Sequence, residues 1–145
     1  MTRKDLSRAY LLNNEIRLLQ EEIDKLEAEA KEPTAATMSD VKASGRKKAS
    51  PTEQRVLKIA ERKTKLEMKQ LSLQLAKDEI WDFIESVDDS LMRQIIMCRC
   101  VKFYSWKKIA TEMGGINSPD TLCKIYSRFV NERFKCQNEE SMDQD

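Results

Sequence analysis

Apolar residues in the first thirty positions fall at Ala9, Leu12, Ile16, Leu19, Ile23, Leu26 and Ala30, with spacings that alternate between three and four. This is the a/d pattern of a heptad repeat, and it predicts a helix over residues 6–30 of an N-terminal segment 1–30. Glu15, Arg17, Glu21, Glu22, Asp24, Lys25, Glu27 and Glu29 take the other faces. One helix cannot hide such a stripe. Its partner is either another helix of the same chain or a second copy. Residues 31–51 carry small side chains, Pro33, Gly45 and Pro51 and almost no large apolar residue, so they read as a flexible linker. The pattern resumes in a long helix over 52–87. Ser50 is placed as its N-cap, Pro51 at its first position and Glu53 as the acid of a capping box. Ile59, Leu66, Leu73, Ile80 and Val87 recur every seven residues, and the complementary positions are read as Val56, Lys63, Gln70, Lys77 and Ile84. Met68, Leu71 and Leu75 widen the apolar surface on other faces. An antiparallel hairpin of the two long helices is the economical arrangement, because the linker is long enough to permit the turn.

From Asp88 the texture becomes three short helices over 88–136. The first runs to about Val101 with Leu91, Ile95 and Cys98 on its apolar face, joined there by Met92 and Val101. Lys102-Phe103-Tyr104 is a connector. The second runs from Ser105, its cap, to Met113, with Trp106, Ile109, Ala110 and Met113 on one face. Gly114-Gly115 ends it, since glycine tolerates the left-handed conformation at a helix C-terminus. The third starts at Ser118-Pro119-Asp120 and buries Leu122, Ile125, Tyr126, Phe129, Val130 and Phe134. Two short helices joined by a tight glycine turn and braced by a third make a helix-turn-helix pattern. A trihelical packing module shares that periodicity. The polar face of the third helix, with Ser118, Asp120, Thr121, Lys124, Ser127 and Arg128, favours the DNA-binding version.

Composition changes this picture in three places. The chain of 145 residues has no histidine and 3 glycines, which removes Ser/His and Cys/His catalytic pairs, histidine-bound metal and glycine-rich phosphate loops, and points away from an enzyme. The charged N-terminus lacks a signal-peptide core and no run approaches the ~20 apolar residues of a membrane span, so a cytoplasmic protein is expected. In that compartment Cys98, Cys100, Cys123 and Cys136 read as small buried hydrophobes; the single-residue spacing of Cys98 and Cys100 is not a usual zinc pair, and no cofactor is expected. The charge, 26 basic against 25 acidic residues, seems to argue against a polyanion partner. By segment it does not: residues 88–136 carry 9 basic and 5 acidic side chains, and the last nine residues, 137–145, carry 4 acidic and none basic. A basic reader and an acidic tail offset each other; the tail is either simply solvated or, being tethered, competes with phosphate for the basic face. Arg46-Lys47-Lys48 adds a short basic run in the linker.

The stretch from Leu91 to Val130 resembles region 4 of bacterial sigma factors. The pattern there, an apolar helix, then "sW-x-x-IA-x-x-hG", then a recognition helix, appears here as Ser105, Trp106, Ile109, Ala110, Met113 and Gly114. With the start Leu6-Ser7-Arg8-Ala9-Tyr10-Leu11-Leu12, nearly the whole chain resembles a family from phages and prophages of Gram-positive bacteria, similar to the ArpU- and RinA-type transcriptional regulators. Relatives often carry Arg-Tyr where this chain has Arg99-Cys100, and the turn Gly114-Gly115-Ile116-Asn117 is slightly longer than the tightest form.

The combined expectation is an all-α chain: a long-helix hairpin or coiled coil, then a trihelical helix-turn-helix domain. It would act as a sequence-specific regulator of transcription on double-stranded DNA inside a bacterial host cell. Asp120, Thr121 and Lys124 are the candidate base readers. Ser118 and Arg128 are candidates for bases or backbone, and Lys107 and Lys108 for phosphates. Leu12, Ile16, Leu19, Ile23, Leu26, Ile59, Leu66, Leu73 and Ile80 would pack the long helices or join copies into a homodimer or higher oligomer. The competing readings are a DNA-packaging protein like a small terminase subunit and an interaction module that contacts RNA polymerase.

Overall fold

A computed structural model describes residues 1–31 and 50–135, and all regular structure among them is helical. The elements are α1 (Arg3–Lys31), α2 (Pro51–Glu85), α3 (Ser90–Ile96, prolonged by a π-helical turn Met97–Val101), α4 (Trp106–Glu112) and α5 (Pro119–Arg133). Most of the expected linker, with Arg46-Lys47-Lys48, lies outside the described residues, as do Cys136 and the acidic tail 137–145. Both long helices start with reciprocal caps. Thr2 N donates to Asp5 Oδ2 at 2.7 Å while Asp5 N donates to Thr2 Oγ1 at 3.3 Å. The bonds that Thr2 N and, at 2.9 Å, the Thr2 hydroxyl donate to Asp5 Oδ2 hold the Asp5 carboxyl below the usual aspartate range. Ser50 N donates to Glu53 Oε2 at 3.3 Å and Glu53 N to Ser50 Oγ at 3.2 Å, the capping box expected there.

The described residues 14–31 and 50–71 form one compact unit, an antiparallel helix pair. Glu27 is bridged by Lys63 at 2.6 Å, Glu15 by Lys69 at 2.8 Å, and the Glu29 carbonyl accepts from Arg55 at 3.5 Å. Rising numbers on α2 thus meet falling numbers on α1. Ile23 and Leu66 are buried in this pair, with Ile16, Leu19, Leu26 and Ile59 half-buried. The heptad stripe of α1 therefore packs inside the chain, as far as an exposed Ala30. The complementary positions on α2 are a correction. Val56, Lys63 and Gln70 are exposed, and the half-buried positions between Ile59 and Leu73 are Arg62, Lys69 and Ser72. A seam spaced three and four from Ile59 runs 59, 62, 66, 69 and 73, and the same spacing reaches Ala76, Ile80 and Phe83 before the helix ends at Glu85. Arg62 and Lys69 can occupy it because their aliphatic stems cover apolar surface while the charged ends reach water. Surface ion pairs such as Lys69–Glu15 contribute roughly 0.2–1 kcal/mol each, so burial supplies most of the pairing energy.

The other unit joins residues 1–13 to the described residues 72–135, and it has two apolar clusters. Leu6, Ala9, Ala76, Ile80, Phe83, Ile84, Val87, Met92, Ile96, Cys100, Val130 and Phe134 form the first. Ile95, Ile109, Ala110 and Leu122 form the second, with Leu91, Cys98, Tyr104, Trp106 and Met113 packed against it. Two sequence expectations change here. The boundary drawn at residue 88 is not a boundary of packing, because the ends of both long helices complete the first cluster. And α3 is buried on two sides: beyond the face with Leu91, Ile95 and Cys98, it also buries Ile96 and Cys100.

The way α3 ends depends on one side chain. Lys102 N donates to Met97 O at 3.0 Å and Tyr104 N to Cys98 O at 2.9 Å, wider closures than an α-helix makes. Between them Phe103 takes φ 59°, which L residues rarely adopt. The Arg99 guanidinium donates to the Tyr104 carbonyl at 3.0 Å and lies 4.8 Å over the Trp106 ring. It thereby ties the connector to the start of α4.

Candidate nucleic-acid interface

The segment α4–turn–α5 is built from caps that the sequence spells out. Ser105 Oγ accepts from Lys108 N at 3.2 Å and opens α4. Gly114 and Gly115 close it at φ 85° and 72°, with Gly115 N donating to Ala110 O at 2.9 Å. A Cβ at either glycine would meet nothing within 4 Å, so a side chain there strains only the backbone. Gly115→Ala is expected to cost about 1–2 kcal/mol, read as a lower urea midpoint at unchanged slope. No loss would mean that the turn does not need the left-handed conformation.

Ser118 caps α5. Its Oγ accepts from Thr121 N at 3.2 Å and lies 2.8 Å from Thr121 Oγ1. Two of the sequence candidates, Ser118 and Thr121, thus spend part of their hydrogen-bonding capacity on each other. Ser118→Ala is expected to cost about 1 kcal/mol of stability by loss of the cap, measured by thermal or urea unfolding.

Asp120, Lys124 and Arg128 repeat every four residues, with Thr121 beside them, and all four side chains are exposed. Asn131 and Lys135 continue the same exposed face, and Ser127 is half-buried at its margin. Leu122 and Val130 anchor the opposite face, together with Phe134 just past the helix end. The acid of the first turn sits where the helix dipole is positive, and the cations follow toward its negative end. A second element reaches this face: Arg3 Nη1 donates to Asn131 Oδ1 at 3.0 Å. Sequence reasoning missed Arg3, because no local spacing relates the first turn of α1 to the last turns of α5. It also missed Ile116, 88% exposed in the turn itself.

Lys107 and Lys108 are both exposed at the start of α4. Lys108 Nζ sits 4.0 Å above the Tyr104 ring and Lys102 Nζ 5.8 Å from its centroid, so Tyr104 gathers two cations beside the helix start. Trp106 is half-buried against the second cluster, 5.4 Å from Tyr126, as its place on the apolar stripe suggested.

The described cysteines are a buried Cys100 and half-buried Cys98 and Cys123, all free. Cys100 Sγ lies 3.4 Å from Tyr126 Oη, and burial pushes the proton affinity of both groups up. Burial raises Cys98 as well. Of these three thiols Cys100 is expected to alkylate slowest in the folded protein, by peptide mapping after timed iodoacetamide exposure. Among the described residues no cluster of cysteine and carboxylate side chains is placed to hold a metal ion, and no helix is long and apolar enough to cross a membrane.

No protein-family model matches the chain, and no curated protein and no solved structure matches it significantly.

Proposed function

We propose that the chain is a sequence-specific regulator of transcription that reads double-stranded DNA with α5, of the kind found in phages and prophages. The observation that carries this reading is the exposed face of α5, on which Asp120, Lys124 and Arg128 stand one turn apart behind a well-capped helix start. In the major groove each residue type has a partner. Lys124 donates to guanine O6 or N7, Asp120 accepts from cytosine N4, and Thr121 offers both a hydroxyl and a methyl group. Arg128 and Arg3, farther along, suit phosphates, as do Lys107 and Lys108 at the start of α4. Ile116 offers an apolar contact to a thymine methyl. RNA polymerase is a proposed second partner, on the strength of the sigma-like pattern alone.

The test is a selection for bound sequences, followed by fluorescence anisotropy on the selected duplex over a salt series. Affinity is expected to fall steeply with salt, because each neutralised phosphate releases counterions. Lys124→Ala should cost about 1–3 kcal/mol on the selected site and relax preference at one base pair, whereas Lys107→Ala should weaken all sequences alike and flatten the salt slope. Binding without sequence preference would remove the regulator reading. No salt-dependent binding would remove DNA as the partner and leave an interaction module.

A further inference from the structure

The charges of α1 are divided along its length. Residues 1–13 hold Arg3, Lys4 and Arg8 against Asp5, whereas residues 14–31 hold 3 basic and 6 acidic side chains. The division falls where the helix passes from one compact unit to the other, so these cations belong to the unit that contains α5.

Neither helix stability nor pairing explains them. Arg3 and Lys4 stand in the first turn of α1, where the helix dipole disfavours positive charge. The backbone N–H and the hydroxyl of Thr2 already bind the Asp5 carboxylate. None of the three cations forms an ion pair among the described residues. Arg3, Lys4, Ser7, Arg8 and Leu11 are exposed and line one shallow depression on the outer face of α1, with the half-buried Asp5 at its edge.

This face is tied to the face of α5 by the Arg3 bond to Asn131 Oδ1 at 3.0 Å. From Lys124 to Asn131 the axis of α5 rises by about 10 Å. Cations thus run along α5 from Lys124 to Arg128 and continue through Arg3 onto α1. The acids of these turns are Asp5 and Glu132, against Arg3, Lys4, Arg8, Arg128 and Lys135.

We propose that the first turns of α1 hold the phosphate backbone of DNA just beyond the base pairs that meet α5, with Lys4 and Arg8 as the contacts that matter most. The inference rests on the reading of α5 given above. Lys4 and Arg8 supply charge on long stems, the Ser7 hydroxyl between them adds a donor, and Arg3 keeps its remaining N–H donors after the bond to Asn131. Such contacts position a protein on the duplex and carry no sequence information. An acidic protein surface would suit the same cations, but the link through Arg3 to the α5 face favours DNA.

The experiment is fluorescence anisotropy of the full chain on its selected duplex over a salt series, with hydroxyl-radical footprinting on the same duplex. Each phosphate contact contributes about 0.9 to the slope of log affinity against log salt, so K4A/R8A should flatten that slope by about 1.8. It should weaken binding to all sequences alike and leave base preference unchanged. Arg8→Lys should keep the slope, because it keeps the charge. In the footprint, K4A/R8A should lose protection at one edge of the bound site only. Its melting midpoint should not fall below that of the unaltered chain, since the substitutions remove no packing and relieve the dipole. DNA binding with an unchanged slope overturns this inference and leaves the reading of α5 standing, as an acidic protein partner would require. A footprint that thins evenly along the site, or a lower midpoint, overturns it as well, because the variant would then act through the fold. A chain that binds no duplex at all removes both readings.

Discussion

A fragment of residues 88–135, cut at the boundary where the sequence changes texture, is expected to lose the cooperative melting that the full chain shows. The fragment keeps α3, α4 and α5 and their caps. It loses Leu6, Ala9, Ala76, Ile80, Phe83, Ile84 and Val87, more than half of the first apolar cluster. Burying one large aliphatic or aromatic side chain contributes about 1.5–3 kcal/mol, while a whole domain is stable by only about 5–15 kcal/mol. Five such side chains are lost, and their combined contribution is comparable to the total. Met92, Ile96, Val130 and Phe134, which pack on them, would be turned out to water. A chain of this length is also near the size at which one core barely suffices. The check is a thermal melt followed by circular dichroism, comparing the fragment with the full chain. Equal cooperativity and midpoint would show that the trihelical part stands alone, and that the long helices are additions to it.

That expectation could not have come from the sequence, and the reason is physical. Periodicity reports which face of a helix is buried, and it does so well where one apolar face meets one charged face. The stripe of α1 from Ala9 to Leu26 was legible for that reason, and so were the starts of α4 and α5, whose caps are local. Periodicity does not report what a face is buried against. Val87 and Met92 belong to one cluster across what looks like a change of domain. Where a helix is apolar on two sides, the pattern misleads. On α2 the row with Met68 and Leu71 competes with the seam, while the seam itself holds Arg62, Lys69 and Ala76. The complementary positions Val56, Lys63 and Gln70 were therefore misread by one residue, whereas Ile84 is buried as expected. On α3 burial on two sides hides Ile96 behind the more regular Leu91, Ile95 and Cys98. Of the candidate reading face, Asp120, Thr121, Lys124 and Arg128 were legible from their spacing, and all four are exposed. Arg99 and Arg3 were not, since a guanidinium that meets the Tyr104 carbonyl or Asn131 does so through tertiary structure.

The same substitution at two isoleucines of the helix-turn-helix region should give opposite results. Ile95 is 0% exposed and sits in the second cluster with Ile109, Ala110 and Leu122, where α3 supports both α4 and α5. Ile95→Ala removes three carbons from a site closed on all sides, so the transfer term and the cavity term add, and a loss of about 3–5 kcal/mol is expected. Ile95→Val, which removes one methyl group, should cost about 0.5–1.5 kcal/mol. Ile116 has the same side chain at 88% exposure in the turn, and Ile116→Ala should change stability by less than about 0.5 kcal/mol. Urea unfolding of the three variants measures all of this. The pair also separates two ways of losing DNA affinity. At a urea-free temperature where both variants are folded, Ile116→Ala alone can weaken binding by removing a contact, and it would do so without a change in midpoint. Ile95→Ala acts through the support of α5, so its binding defect should shrink as the protein is cooled toward its stability maximum. Comparable stability losses at the two positions would mean that the second cluster is not closed, and that α3 does not brace the reading helix.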